Sequence, residues 1–399
     1  MQKSFDALDV DPFFIKSLGA RNIHEPTPIQ EKVIPLLLQS KNLLFSSPTG
    51  TGKTLAYLLP LLGRIVNEGK PKTPVFLIAA PTYELCSQIK NEVDLLLAGT
   101  EHKSTLLIGQ TNLTRQIESL KKDKPIVVIG NPGRLFLLAK MGKLVLRDLR
   151  FIILDEGDRL VSRELIEETC GLLDYVNHVL SPEKKAALLV AACSATFSAV
   201  SRKKLLPLLG EGALVLDSKG NVLRDLVEHW AIFSEDRRKA ETLRSFIAAA
   251  SPAKKSRKKA FKALVFTARA ADLGNIVSRL QLSGIGVTGL MGDMKNTARK
   301  QALDDFRTGR VRLLVTSDLA ARGLDIPDIS HIIALDLGDD PDAYIHRAGR
   351  TGRAGKKGIM VTIGNENEMR RLAAMEKKLG IIVHPKELYG GKILGPETQ

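Results

Sequence analysis

The sequence predicts an α/β protein built from two tandem units, each a parallel β-sheet with helices on both faces. Three observations carry that expectation. Short, nearly continuous apolar runs alternate with longer stretches of helical period, and strands lacking a polar side belong to sheets buried on both faces. The rhythm restarts after residue 220, so the architecture repeats although the halves share no strong identity. A chain of 399 residues also exceeds what one core organises, at roughly 100 to 200 residues per domain.

In the first half the expected strands are NLLFSS (42–47), VFLIAA (75–80), PIVVIGN (125–131), FIILDE (151–156) and ALLVAACSA (187–195). In the second they are ALVFTA (263–268), GVTGL (286–290), VRLLVTS (311–317), HIIALD (331–336) and GIMVTIG (358–364). The polar, glycine-containing DSKGN stretch places the join near Asp217 to Leu226. The expected organisation is a first domain over 1–217, a linker over 218–226, a second domain over 227–385, and a loose tail, KELYGGKILGPETQ, over 386–399.

Composition excludes several classes. Apolar runs such as LLVAA stop short of the roughly 18 to 20 residues a bilayer helix needs, and MQKSFDALDV lacks a secretory signal's charged-then-apolar start. Cys86, Cys170 and Cys193 are odd in number and far apart, which suits a reducing compartment and supplies no CxxC zinc pair. A cytoplasmic monomer without membrane association is therefore expected. Lysine plus arginine number 59 against 44 acids, a net charge of +15. Residues 1–220 hold 28 bases and 23 acids, so the excess lies mainly in the C-terminal half. Charge of this sign suits a polyanion partner, or solubility alone. The run SPAKKSRKKAFK (251–262) carries Lys254, Lys255, Arg257, Lys258, Lys259 and Lys262 without an acid; it reads as a solvated loop or a nucleic-acid contact.

Three motifs carry chemistry. SPTGTGKT (Ser47 to Thr54) lies between an apolar strand and an apolar helix, the context of a phosphate-cradling loop. Gly50 and Gly52 let backbone N–H groups crowd a phosphate, with Thr49 and Thr51 between and beside them. Lys53 reaches the β and γ phosphates of ATP, and the Thr54 hydroxyl binds Mg2+. FIILDEGD (151–158) puts Asp155 at a strand's C-terminal end, where it can hold Mg2+, with Glu156 placed to polarise the attacking water. Alone it would be an ordinary acidic strand end; beside a phosphate loop it completes a nucleotide site. YIHRAGRTGRAG (Tyr344 to Gly355) spaces three arginines by three, each near a glycine, which predicts a poor helix and a loop facing a polyanion. Arg350 and Arg353 are candidate arginine fingers, which would require the two halves to close on one ATP.

These motifs, in this order over nearly the whole chain, resemble the core of the DEAD-box RNA helicases, two RecA-like domains in tandem. The resemblance implies that Gln30 of PTPIQ (Pro26 to Gln30) hydrogen-bonds adenine and that Phe5 stacks on it. It implies that SAT (Ser194, Ala195, Thr196), with Asp158 and with His346 of HRAGRTGR, couples hydrolysis to strand separation, and that Asp325 of SDLAARGLD meets the ribose. RNA contacts are implied for Pro81, Thr82 and Tyr83 of PTYELCSQ, for Gly109 and Gln110, and for Asn131, Pro132, Gly133 and Arg134. In the second half they fall on Arg269 of VFTAR, Arg299 of MGDMKNTAR, and Ser317.

Departures from the family pattern are mild on the nucleotide side: Ser47 for alanine, Gly157 for the alanine of DEAD, and Ile23 for an aromatic. On the RNA side they are chemical. Tyr83 stands for arginine, Gln110 for a second glycine, Asn131 for threonine and Asn296 for glutamine. Each lost phosphate contact should reduce the salt slope by roughly 0.7 for a single strand. Tyr83 could stack on a base instead, or be a partly buried surface aromatic. The expected activity is an ATP-dependent RNA helicase; the alternatives are a non-unwinding ATP-dependent RNA clamp and a DNA-directed translocase. Trp230 is expected in a strand or core, and Cys193 as buried apolar filling. His24, His102, His178, His229, His331 and His384 form no ligand set.

Overall fold

The computed structural model describes residues 4–48, 50–69, 71–109, 111–217, 226–251, 261–268, 270–291, 294, 296–321, 326, 328–352 and 356–395. The chain divides into two compact units, Met1–Lys219 and Gly220–Gln399.

The first unit has seven strands: β1 (Leu43–Ser46), β2 (Phe76–Ala79), β3 (Ser104–Leu107), β4 (Val127–Gly130), β5 (Phe151–Asp155), β6 (Leu189–Ser194) and β7 (Leu214–Asp217). They form one sheet in the order β3-β4-β2-β5-β6-β1-β7, every pairing parallel. The helices are α1 (Pro12–Gly19), α2 (Pro28–Leu38), α3 (Lys53–Val66), α4 (Tyr83–Leu96), α5 (Leu113–Asp123), α6 (Pro132–Lys140), α7 (Gly157–Leu160), α8 (Ile166–Val179), α9 (Pro182–Ala186) and α10 (Ala199–Leu205). Alternate strand residues enter opposite cores. Leu43, Phe45, Phe76 and Ile78 pack with α1 to α4, whereas Leu44, Leu77 and Ala79 pack with α6, α8 and α10. A strand apolar at every position is what a sheet sandwiched between two helical layers requires.

The second unit repeats the plan with β8 (Val227–Phe233), β9 (Ala263–Phe266), β10 (Val287–Leu290), β11 (Leu313–Thr316), β12 (His331–Ala334), β13 (Gly358–Gly364) and β14 (Val383–Pro385). The order is β10-β11-β9-β12-β13-β8-β14, again all parallel. Trp230 lies on β8, as expected, with the Lys386 ammonium 5.3 Å from the centre of its ring.

The expected loose tail from residue 386 contains a hairpin. β15 (Glu387–Tyr389) and β16 (Lys392–Leu394) pair antiparallel across Gly390 and Gly391, both at positive φ. Leu388 and Ile393 pack on the core containing Leu243, Phe246 and Ile247 of the helix Lys239–Ala250. Two glycines between short β-prone runs are a hairpin signal, so this element was legible as GG between ELY and KIL. Most of the basic run, 252–260, lies outside the described residues.

Candidate nucleotide site and nucleic-acid interface

The phosphate loop joins β1 to α3 and is held from three sides. Ser47 N–H donates to the Ser194 carbonyl at 3.1 Å. The Thr51 hydroxyl meets Ser47 Oγ and donates to the Pro48 carbonyl, both at 2.8 Å. The Thr27 hydroxyl donates to the Thr51 carbonyl at 2.7 Å. Gly50 and Gly52 take φ of 79° and 87°. At Gly52 a Cβ would sit 2.4 Å from Gln30 Nε2, so only glycine suits both the backbone conformation and the space. Lys53, first residue of α3, donates its ammonium to the Ser47 and Pro48 carbonyls at 2.6 and 3.0 Å.

Gln30 belongs to this loop as much as to α2. Its Oε1 accepts from Thr27 N–H at 2.9 Å, closing the helix capping box, and its Nε2 donates to the Gly52 carbonyl at 3.0 Å. An amide has two donors and two acceptor lone pairs, so these bonds use half of its capacity. Phe5 is only 2% exposed and sits in the first-unit core.

Asp155 ends β5 and is 4% exposed. Its carboxylate accepts from the Tyr57 hydroxyl at 2.9 Å, Glu156 N–H at 2.9 Å and the Cys193 thiol at 3.2 Å. Burial, then the Asp155 charge, pushes both the Tyr57 hydroxyl and the Cys193 thiol well up, so both stay protonated donors. Neither was expected to act here. Tyr57 had a sequence signal, since it follows Lys53 by four residues and so shares its helix face; Cys193, correctly read as buried, had none. Glu156 caps α7 at φ 50°. The Ser194 hydroxyl donates to Asp158, joining the expected coupling residues, and burial raises the Asp158 carboxyl above its ordinary value. Ala195 and Thr196 follow, half-buried.

Because all strands run parallel, the loops after β1 to β6 share one sheet edge. The nucleotide-side loops follow β1, β5 and β6; Pro81 to Tyr83 follow β2, Gly109 follows β3, and Asn131 to Arg134 follow β4. The β3, β4 and β2 loops are thus neighbours at one end of that edge. Thr82 caps α4, its hydroxyl accepting from Leu85 N–H at 3.3 Å. Tyr83 is 43% exposed, so part of its ring faces solvent and part is covered. Arg134 donates to the Gly109 carbonyl at 2.7 Å and Gln116 Oε1 at 3.1 Å, bracing the β3 loop. Asn131 and Pro132 start α6, with Gly133 in its first turn.

In the second unit, the loops after β9 and β12 are tied by Asp336, which accepts from the Thr267 hydroxyl at 3.0 Å and Ala268 N–H at 2.8 Å. Ser317 Oγ accepts from Ala320 N–H at 3.3 Å, and Arg299 donates to the Ala320 carbonyl at 2.9 Å. The expectation for YIHRAGRTGRAG is corrected: Tyr344 to Ala348 complete the helix Pro341–Ala348, capped at Gly349. Arg347 is internal to that helix and buried, with paired bonds to Asp318 at 2.6 and 2.5 Å. It braces the fold because a facing carboxylate satisfies its planar fork. His346 lies on the same helix and Arg350 just beyond it, 9% exposed. Thr49, Gln110, Arg269, Asp325 and Arg353 lie outside the described residues, as does the side chain of Asn296.

Hard oxygen donors from Thr54 and Asp155 suit Mg2+, which keeps waters and phosphate oxygens in its shell. Among the described residues there is no group of three or more His, Cys, Asp or Glu that could hold a metal.

The family models that match are the DEAD/DEAH box helicase over residues 27–204 and the helicase conserved C-terminal domain over 238–355. The DEAD-box ATP-dependent RNA helicase CshC of Bacillus cereus is 35% identical over 97% of this chain and 94% of its own length. The probable ATP-dependent RNA helicase YfmL of Bacillus subtilis is 34% identical over 96% of each. Among solved structures, Saccharomyces cerevisiae Dbp5 bound to RNA and ADP BeF3 superposes with a TM-score of 0.81 at 27% identity, covering 96% of each chain. Likeness across both units, together with a phosphate loop and a DEGD carboxylate pair on one sheet edge, makes this chain a member of the DEAD-box ATP-dependent RNA helicase family, whose enzymes hydrolyse ATP.

Proposed function

We propose that the chain couples ATP binding and hydrolysis to local separation of RNA duplexes or remodelling of ribonucleoproteins. The observation that carries this reading is the shared edge: Lys53, Asp155 and Glu156 stand on loops of one sheet with Pro81, Thr82, Gly109 and Asn131 beside them. Lys53 and the loop N–H groups hold the phosphates, and the unused donor and acceptor of Gln30 read the adenine. Phe5 stacks on the adenine only if its buried ring gains a free face. Thr54 and Asp155 would hold Mg2+, which supplies charge neutralisation to the β and γ oxygens when bound. Glu156 orients the attacking water, and Arg350, Arg353 and Asp325 serve the same nucleotide from the second unit.

Backbone contacts position the RNA without reading its sequence, so preference among sequences should be weak. A cytoplasmic monomer belongs to the same proposal; no helix among the described residues is long and apolar enough to cross a membrane. Glu156→Gln is expected to retain ATP and RNA while turnover falls by about a hundredfold or more, read by RNA-stimulated phosphate release beside RNA retention. Unaltered turnover would remove Glu156 from its role. A second reading, an RNA clamp that releases no strand, is favoured by the exposed Tyr83 in place of an arginine. Strand displacement assayed beside ATPase decides between them.

A further inference from the structure

The edge of the second sheet opposite the motif loops holds an acid-free depression of about 610 Å³. It is bounded by the segments leading into three strands: Ser251 and Phe261 before β9, Ile285 before β10, and Arg310 and Arg312 before β11, with Arg244 of the helix Lys239–Ala250. Arg244, Arg310 and Arg312 are all exposed. Only Arg310 has a carboxylate, Asp305 at 2.8 Å; among the described residues Arg244 and Arg312 have no ion-pair partner. The floor is apolar, from Ile247, Phe261 and Ile285.

Arg244 and Arg312, which meet no carboxylate among the described residues, above an apolar floor suit phosphates and stacked bases. Four-residue strands span roughly 13 Å, so this cluster is separated by the whole sheet from Ser317 and Arg299. We propose that it is a second RNA surface, which takes the phosphate backbone of the RNA strand running on beyond the part held at the motif edge. The proposal rests on RNA being the substrate. RNA already held at the motif edge is tethered, and its high effective concentration makes even a weak basic surface occupied. A unit of this size has a radius of gyration of about 16 Å. Crossing it takes roughly 30 Å, or about nine more phosphates at the ~3.4 Å per-strand spacing of a helical strand.

The test compares wild type with an Arg244→Gln/Arg312→Gln double variant, and with Arg244→Lys/Arg312→Lys, on a short single strand and on one longer by roughly 20 nucleotides. Wild-type ATPase stimulation by the short strand tests whether RNA is the substrate at all. The glutamine variant should match wild type there. On the long strand it should bind about fivefold or more weakly at low salt, with the salt slope reduced by roughly 1.4 for two lost phosphate contacts. The lysine variant should recover most of that slope. Equal affinity and slope for all three proteins on the long strand, with stimulation by the short strand intact, would overturn the proposal while leaving the helicase reading standing. An equal loss on both lengths would also overturn it, because the contact would then belong to the motif-bound strand.

Discussion

Asp155 accepts three hydrogen bonds, from a backbone N–H, a phenol and a thiol, so its carboxylate is aimed before any ligand arrives. Partners behind a metal-binding carboxylate are typically worth 10- to 100-fold in metal affinity or activity. Tyr57→Phe is therefore expected to raise the Mg2+ concentration for half-maximal ATPase by about tenfold, read from Mg2+ titrations at fixed ATP; an unchanged midpoint would leave Tyr57 as core packing. Asp158 makes the opposite kind of statement. Burial raises its pKa, so the folded protein binds the proton more tightly than the unfolded chain, and stability falls as pH rises from the ordinary carboxyl range through the raised value. Asp158→Asn retains an oxygen for Ser194 and removes the buried charge. Its melting temperature near neutral pH should equal or exceed wild type, with that fall in stability lost, while strand separation declines relative to ATP hydrolysis; melting curves and paired assays check both. The lysine, the two acids and the loop glycines were visible in the sequence because their spacing defines the chemistry. Arg347 was not, because nothing in HRAGR tells an arginine that faces a phosphate from one that faces Asp318.

Elements were legible in proportion to their burial. The runs at 42–47, 75–80 and 151–156 enclose β1, β2 and β5, each buried at almost every position. β3 and β7, absent from the expected set, are edge strands: β3 alternates in exposure and β7 is largely solvent-facing. An edge strand needs no continuous apolar run, so the pattern used to find its neighbours misses it. β8 was missed for a related reason, its polar Glu228 and His229 interrupting the run. The DEGD departure also belongs at this scale. A Cβ at Gly157 would meet Ala192 Cβ at 3.3 Å and Leu205 Cδ1 at 3.5 Å, so α7 packs closely on β6 and α10. The Leu205 contact is an ordinary one, so only Ala192 on β6 has to give, by a few tenths of an ångström, and alanine favours a helix over glycine by up to about 1 kcal/mol. Gly157→Ala should thus change stability by less than about 1 kcal/mol with ATPase retained, measured by denaturant melts. A loss above about 3 kcal/mol would mean the β6 contact cannot relax.

At the scale of the whole molecule, the second unit carries a buried group that ties its stability to pH. His331, at the start of β12, has ring centres of Phe261 and Phe246 at 4.8 and 5.9 Å, and burial lowers its pKa to about 4. The unfolded chain takes the proton first, so this stabilisation is present above about pH 6.5 and is lost as pH falls toward 4. Melting followed by Trp230, the chain's one tryptophan, should show the second unit weakening over that range, and His331→Asn should flatten the slope; identical slopes would discount the histidine. In both sheets the first strand made lies between late ones: β1 between β6 and β7, β8 between β13 and β14. During synthesis, Leu43 waits for Ala191 and Leu214 before either of its edges is covered. A ribosome must therefore deliver nearly all of a unit before that unit can close, and the nascent chain meanwhile carries apolar strands that other copies could capture.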